Sequence, residues 1–348
     1  MNIYEYIDKY GDYTFDEKEF NQVDKVIFSF LSYANLEKVF EDDLCLTIAE
    51  AGKQYLELHP GKDINIIAIK EGNKLLKYLR NKKRYMDCKL YNYEYIGNDE
   101  VQFGVVSIEY LPNQVFVSFE GTDSLFSGWR EDFILGYQFP TISQKLAIKY
   151  LNKHFTFKNQ SLIVGGHSKG GNLALVSGME ASEENFDKII KVYNFDGPGL
   201  RYKEYTSDKY ERLRSKLVNV MPSGSVIGTL LYNKDYIVVN SKNVSFGEHY
   251  PDSWGVYGEF FITNTLSKSS LKLHDSTTIG IKDLDEKEMK NAFETVFKNI
   301  ELDYTSKFKL DLDDLQKTYR KMKDLDPKAK EYLDTMFSSM LKALNVKR

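Results

Sequence analysis

The feature that most narrows what this chain can fold into is the pentapeptide Gly166-His167-Ser168-Lys169-Gly170. It stands directly after the apolar run LIVGG and directly before the helical segment GNLALVSGMEA. A G-x-S-x-G at such a junction raises its serine on a tight strand-to-helix turn, with the hydroxyl exposed above the sheet. The flanking glycines leave room for neighbouring backbone, and the helix N-terminus adds positive potential beside any oxyanion that forms there. A glycine-rich turn opening a helix on a phosphate has the same pattern. The strand before and the helix after favour a nucleophile.

The flanking periodicities supply the frame. VQFGVVSIEY and QVFVSFEG are β-rich runs separated by Leu111-Pro112-Asn113, which predicts a hairpin. SQKLAIKYLNKHF has helical spacing, and IKVYNFD, KLVNVM and YIVVNS are further short strands separated by loops or helices. This alternation predicts an α/β protein with a mostly parallel central sheet and helices on both faces. Val23, Val26, Ile27, Phe30 and Leu31 form an apolar helical stripe near the start that should pack on that sheet. Towards the end, Met289, Phe293, Val296, Phe297 and Ile300 form a second stripe, and Leu333, Met336, Phe337, Met340, Leu341 and Leu344 a third. Asp326-Pro327 reads as the N-cap and first turn of the last helix. The expected organisation is a helical N-terminal extension over 1–95 packed on the core, a catalytic core over 96–280 and C-terminal helices over 281–348.

Composition removes several alternatives. In 348 residues, 47 basic against 51 acidic side chains give a net charge of −4, with no basic tract to follow a phosphate backbone. Nucleic acid is therefore not an expected partner. Cys45 and Cys88 are too few for a disulfide framework and lack zinc-site spacing. The N-terminus has no basic start followed by an apolar run, and no apolar run is long enough to span a bilayer. The expectation is a soluble, cytoplasmic protein.

A serine hydroxyl needs a histidine base, and the base needs a third group to orient it. His167 lies beside the serine in a position that normally points into the fold, and reads as structural. His59 and His154 precede the nucleophile, against the chain order serine, acid, histidine. His249 in GEHYPDSW follows the last strand, with Pro251 and Trp254 to order its loop, and is preferred over His274. Asp196 ends the strand IKVYNFD before Gly-Pro-Gly and is the first choice of acid. Asp235 is the alternative, and Asp252 reads as a local loop cap. For the oxyanion hole, the N–H groups of Lys169 and of Thr122 in Glu120-Gly121-Thr122-Asp123 are the expected donors. Trp129 and Asp132 read as anchors of that loop, Trp129 by burial and Asp132 by accepting bonds from loop amides. RYKEYTSDKYERLRSK reads equally as a lid or as a surface helix.

The stretches FNQVDKVIFSFLSY, FEGTDSLFSGWREDF, GGHSKGGNLAL, YNFDGPG and EHYPDSW, in that order, resemble the class 3 lipase group. They resemble more closely a bacterial family of lipase-like proteins classed as a domain of unknown function. The resemblance covers the chain to about residue 300. It implies an α/β-hydrolase fold and lipase-like chemistry but supplies no substrate; the serine, acid and histidine themselves lead to the expectation of a serine esterase acting on a small-molecule or lipid ester, with no metal or organic cofactor. The resemblance supports Ser168, His249 and Thr122. Thioesterase, peptidase or acyltransferase chemistry on the same triad, or a silent binding scaffold, are the alternatives. Class 3 lipases carry an arginine where this chain has Glu120 and a leucine where it has Lys169. Their acid aligns roughly with Ser225 and does not carry over, whereas pancreatic-type lipases take theirs from the strand after the nucleophile, as Asp196 would be.

Overall fold

Eight strands lie side by side in the order in which they occur in the chain: β1 (Cys45–Thr47), β2 (Lys89–Gly97), β3 (Gln102–Leu111), β4 (Gln114–Phe119), β5 (Ser161–His167), β6 (Ile189–Phe195), β7 (Leu217–Pro222) and β8 (Tyr236–Val239). The computed structural model describes residues 1–297 except 42–43, 62–66, 99, 123–129, 133, 156–158 and 283–285, and beyond them only residues 327, 330 and 334. β1 to β4 pair antiparallel and β4 to β8 pair parallel. The hairpin expected at Pro112-Asn113 joins β3 to β4, with Asn113 at φ 63 in the left-handed region that asparagine tolerates. A small antiparallel ribbon, β9 (Val256–Tyr257) and β10 (Phe260–Phe261), follows.

The helices among the described residues include, in chain order, α1 (Ile3–Tyr10), α2 (Gln22–Leu31), α3 (Ile48–Leu58), α4 (Ile67–Leu79), α5 (Ile142–His154), α6 (Lys169–Met179), α7 (Glu183–Lys188), α8 (Tyr202–Tyr205), α9 (Asp208–Arg214), α10 (Lys268–Lys282) and α11 (Glu286–Phe297). They cover both faces of the mostly parallel sheet, the α/β architecture that the alternation of strands and helices predicts. Strand alternation sorts side chains between the two layers. Along β4, Val115, Val117 and Phe119 join α5 and α6 on one face, while Phe116 joins α2 on the other. α8 and α9 occupy the stretch that reads as lid or surface helix, and Tyr210 and Leu213 of α9 are buried in the α6 layer.

The stripe on α2 packs on the sheet as expected, each of its five apolar side chains contributing about 1.5–3 kcal/mol. Every residue from Val23 to Leu31 is buried, however, because α4 packs on α2 from outside. That leaves Asp24 as a buried charge, and Arg84 compensates it: Nε donates to Oδ1 (2.9 Å) and Nη2 to Oδ2 (2.6 Å), with Tyr85 Oη adding a third bond (2.7 Å). β1 and most of β2 arise from residues 1–95, which corrects the expectation of a purely helical extension there.

α10 forms where the sequence offers only a polar stretch. In α11, Met289 is buried as its stripe predicts. Asp326 and the stripe residues from Leu333 onwards lie outside the described residues. No helix among the described residues is long and apolar enough to cross a membrane.

Candidate active site

Five parallel strands end at one edge of the sheet, and each is followed by a polar residue: Thr122 after β4, Ser168 after β5, Asp196 after β6, Ser225 after β7 and His249 after β8. In open α/β sheets the crevice outside the carboxyl ends of the strands is where ligands bind.

Ser168 turns between β5 and α6 at φ 58, ψ −131. For a residue with a side chain this backbone costs on the order of 1–3 kcal/mol, and neighbouring bonds hold it. The Ser168 N–H donates to Phe195 O (2.9 Å), and the Gly171 N–H returns to Ser168 O (2.9 Å). The turn also needs its glycines: a Cβ on Gly166 would run into the backbone of Gly170, and one on Gly170 into the Phe119 carbonyl. Ser168 caps no N–H of α6 with its side chain, as a serine at a helix N-terminus ordinarily does.

Phe195, which receives the Ser168 N–H, immediately precedes Asp196, itself at φ 49. Asp196 is buried, and His249 Nδ1–H donates to its Oδ2 (2.6 Å). Ser225 Oγ (2.5 Å) and the Gly228 N–H (3.1 Å) donate to Oδ1. Burial pushes the carboxyl up to about 7, against the lowering effect of the Ser225 bond, of His167 and of the Gly228 N–H. Burial likewise lowers the His249 imidazole to about 3, so at neutral pH it is uncharged. With Nδ1–H committed to Asp196, the Nε2 lone pair is the basic position of the ring.

The His249 loop is ordered from several sides. Trp254 is fully buried and its Nε1–H donates to Glu248 O (2.8 Å), while the Glu248 carboxylate accepts the Gly224 N–H (2.8 Å). His167 reaches the same loop, with Nε2 2.8 Å from His249 O.

After β4, Thr122 Oγ1 donates to Asp132 Oδ2 (2.7 Å). Asp132 thus grips the loop through the Thr122 hydroxyl, and residues 123–129, whose amides are the expected donors, lie outside the described residues. Burial raises its carboxyl to about 7, opposed by the Lys169 charge and the Thr122 bond. Trp129 lies outside the described residues. The N–H groups of Lys169 and Gly170, the first two of α6, have no acceptor within the helix. The Lys169 side chain turns back and is buried: Nζ donates to Gln102 O (2.6 Å) and Oε1 (2.5 Å), with Glu131 Oε2 at 3.8 Å.

The other candidates lie elsewhere. Asp235 pairs with Arg214 (3.0 Å) on the surface, at the amino end of β8 and so at the opposite edge of the sheet. Asp252 sits on the 3-10 turn Pro251–Ser253. His274 Nδ1 lies 3.0 Å from Thr229 O, His59 stacks on Tyr55, and His154 pairs with Glu94 (2.8 Å).

A family model described as Mbeg1-like matches residues 79–298. The chain belongs to the Mbeg1-like family. The span shared with other Mbeg1-like chains includes β2 to β8 and Thr122, Ser168, Asp196, Ser225 and His249, but not α2. No curated protein matches in sequence. Among solved structures, M37 lipase is 15% identical with a TM-score of 0.35, covering 59% of this chain and 67% of that one. The native Rhizomucor miehei lipase propeptide complex is 10% identical with a TM-score of 0.35, covering 62% of this chain and 67% of that one.

Ser225, Gly228, Gln102 and Tyr33 escape the sequence reading of this Mbeg1-like site. Only Ser225 carries a signal, through its alignment with the acid of class 3 lipases. The rest act through backbone groups or through partners far apart in the chain.

Proposed function

We propose that the protein is a serine hydrolase of carboxylic esters, lipase-like in its chemistry. The observation that carries this reading is the His249–Asp196 pair, buried at the edge where a strained Ser168 opens α6. In the proposed reaction Ser168 Oγ attacks the ester carbonyl carbon while its proton passes to His249 Nε2. The N–H groups of Thr122 and Lys169 receive the oxyanion. Collapse breaks the bond to the alkoxy oxygen, which takes the proton from His249 and leaves as the alcohol. Water then repeats the sequence on the acyl-enzyme and releases the acid. Asp196 keeps Nδ1 protonated and stabilises the imidazolium at each step. The same groups serve thioesters, peptides and acyl transfer to alcohols, and the pocket selects among them.

A panel of p-nitrophenyl esters graded by acyl length tests this reading. The wild type should turn over at least one member. Its kcat/KM should be fully present above neutral pH and lost as pH falls through about 7, because the buried Asp196–His249 pair takes up a proton there. No turnover of any ester by the folded protein would remove the proposal. A flat profile down to pH values well below 7 would remove Asp196 from it.

A further inference from the structure

His167 reads from sequence as a structural neighbour of the nucleophile, yet its bonds reach the other loops of the site. Its ring is buried and lies against that of His249, with centroids 4.4 Å apart. Nε2 is 2.8 Å from the His249 carbonyl oxygen, and Nδ1 is 3.0 Å from Tyr33 Oη. A carbonyl oxygen only accepts, so Nε2 carries the hydrogen. Nδ1 is then the acceptor, and the single Tyr33 hydrogen points to it. Burial, with the nearby His249 ring, holds the imidazole neutral by lowering it to about 3, so this tautomer persists at working pH. Tyr33 lies just beyond the C-terminal end of α2, and its hydroxyl fills the space where Gly121 of the oxyanion loop would carry a Cβ. One imidazole therefore links the nucleophile elbow, the base loop and, through Tyr33, the oxyanion loop.

We propose that His167 is the positioning residue of the site: its Nε2–H tethers the His249 backbone to the residue beside Ser168 and so fixes the spacing between base and nucleophile. The inference rests on the hydrolase reading for its kinetic consequence and on the geometry alone for its tautomer. The tether spans 82 residues of chain and fastens from the nucleophile side a base loop that Trp254, Glu248 and the His249–Asp196 bond hold from other sides.

Two variants separate alignment from packing. His167→Phe keeps a flat ring but removes the donor, and His167→Gln keeps an N–H at a similar reach to Nε2. With folding checked by thermal unfolding, the Phe variant should lose about 10- to 100-fold in kcat with KM within about threefold, the scale expected of a displacement near 1 Å at the reacting groups. The Gln variant should recover most of that loss. A folded Phe variant with wild-type kcat, or equal losses in both variants, would overturn the tether. The second readout needs no turnover: a two-dimensional 1H–15N spectrum of the wild type should show His167 as the neutral Nε2–H tautomer. An Nδ1–H tautomer or a charged ring near neutral pH overturns the inference even if the Phe variant fails to fold. A wild type silent on every ester sinks the hydrolase reading, and the spectrum still decides the tether.

Discussion

Ser168→Ala is expected to remove ester hydrolysis almost completely, with a loss on the order of 10⁶-fold in kcat and an unchanged fold. The magnitude follows from the way the site is divided. Deleting the hydroxyl leaves the buried His249–Asp196 pair and the helix N-terminus in place. What survives is the catalysis that bound donors supply around a water, about 10³- to 10⁴-fold over the uncatalysed reaction. The fold should tolerate the change, since alanine at this elbow faces the same positive φ and the backbone bonds to Phe195 and Gly171 do not involve the side chain. Steady-state kinetics on the best ester, with circular dichroism as the control, measures both parts. A loss of only a few fold would mean that another group attacks.

The second large effect belongs to the acid. Asp196→Asn should lower kcat by about 10⁴-fold, because an amide cannot stabilise the imidazolium and presents an N–H that drives His249 towards the wrong tautomer. The Ser225 hydroxyl and the Gly228 N–H can still meet the amide oxygen, so the loop need not move. Asp235→Asn is the matched control. Its carboxylate is exposed and paired with Arg214 on the surface, where solvent screens an ion pair, and it lies at the far edge of the sheet. Its turnover should match the wild type. The reverse pattern would reassign the acid.

These two aspartates show where the sequence was legible and where it stopped. Ser168 could be read because motif, preceding strand and following helix are contiguous. The parallel half of the sheet could be read because its strands are short β-branched runs. Asp196 and Asp235 both stand between strand signals, and only the strand ends distinguish them: β6 ends just before Asp196, whereas β8 begins just after Asp235. β2 does carry a strand signal, Tyr91, Tyr93 and Tyr95 alternating with Asn92 and Glu94, although its ladder is irregular between Tyr91 and Glu94, where Asn92 has φ 50. α10 escaped because its Ser- and Thr-rich sequence competes with the backbone for hydrogen bonds and shows no apolar stripe. The bonds of His167 join residues 82 and 134 positions apart, which no local pattern encodes.

The nucleophilicity proposed for the Ser168 oxygen can be read chemically. An alkyl fluorophosphonate should react with the wild-type chain above neutral pH. Mass spectrometry should find one adduct, on the peptide carrying Ser168, and none in Ser168→Ala. A folded wild type that takes up no reagent, or takes it up at another residue, would contradict the account.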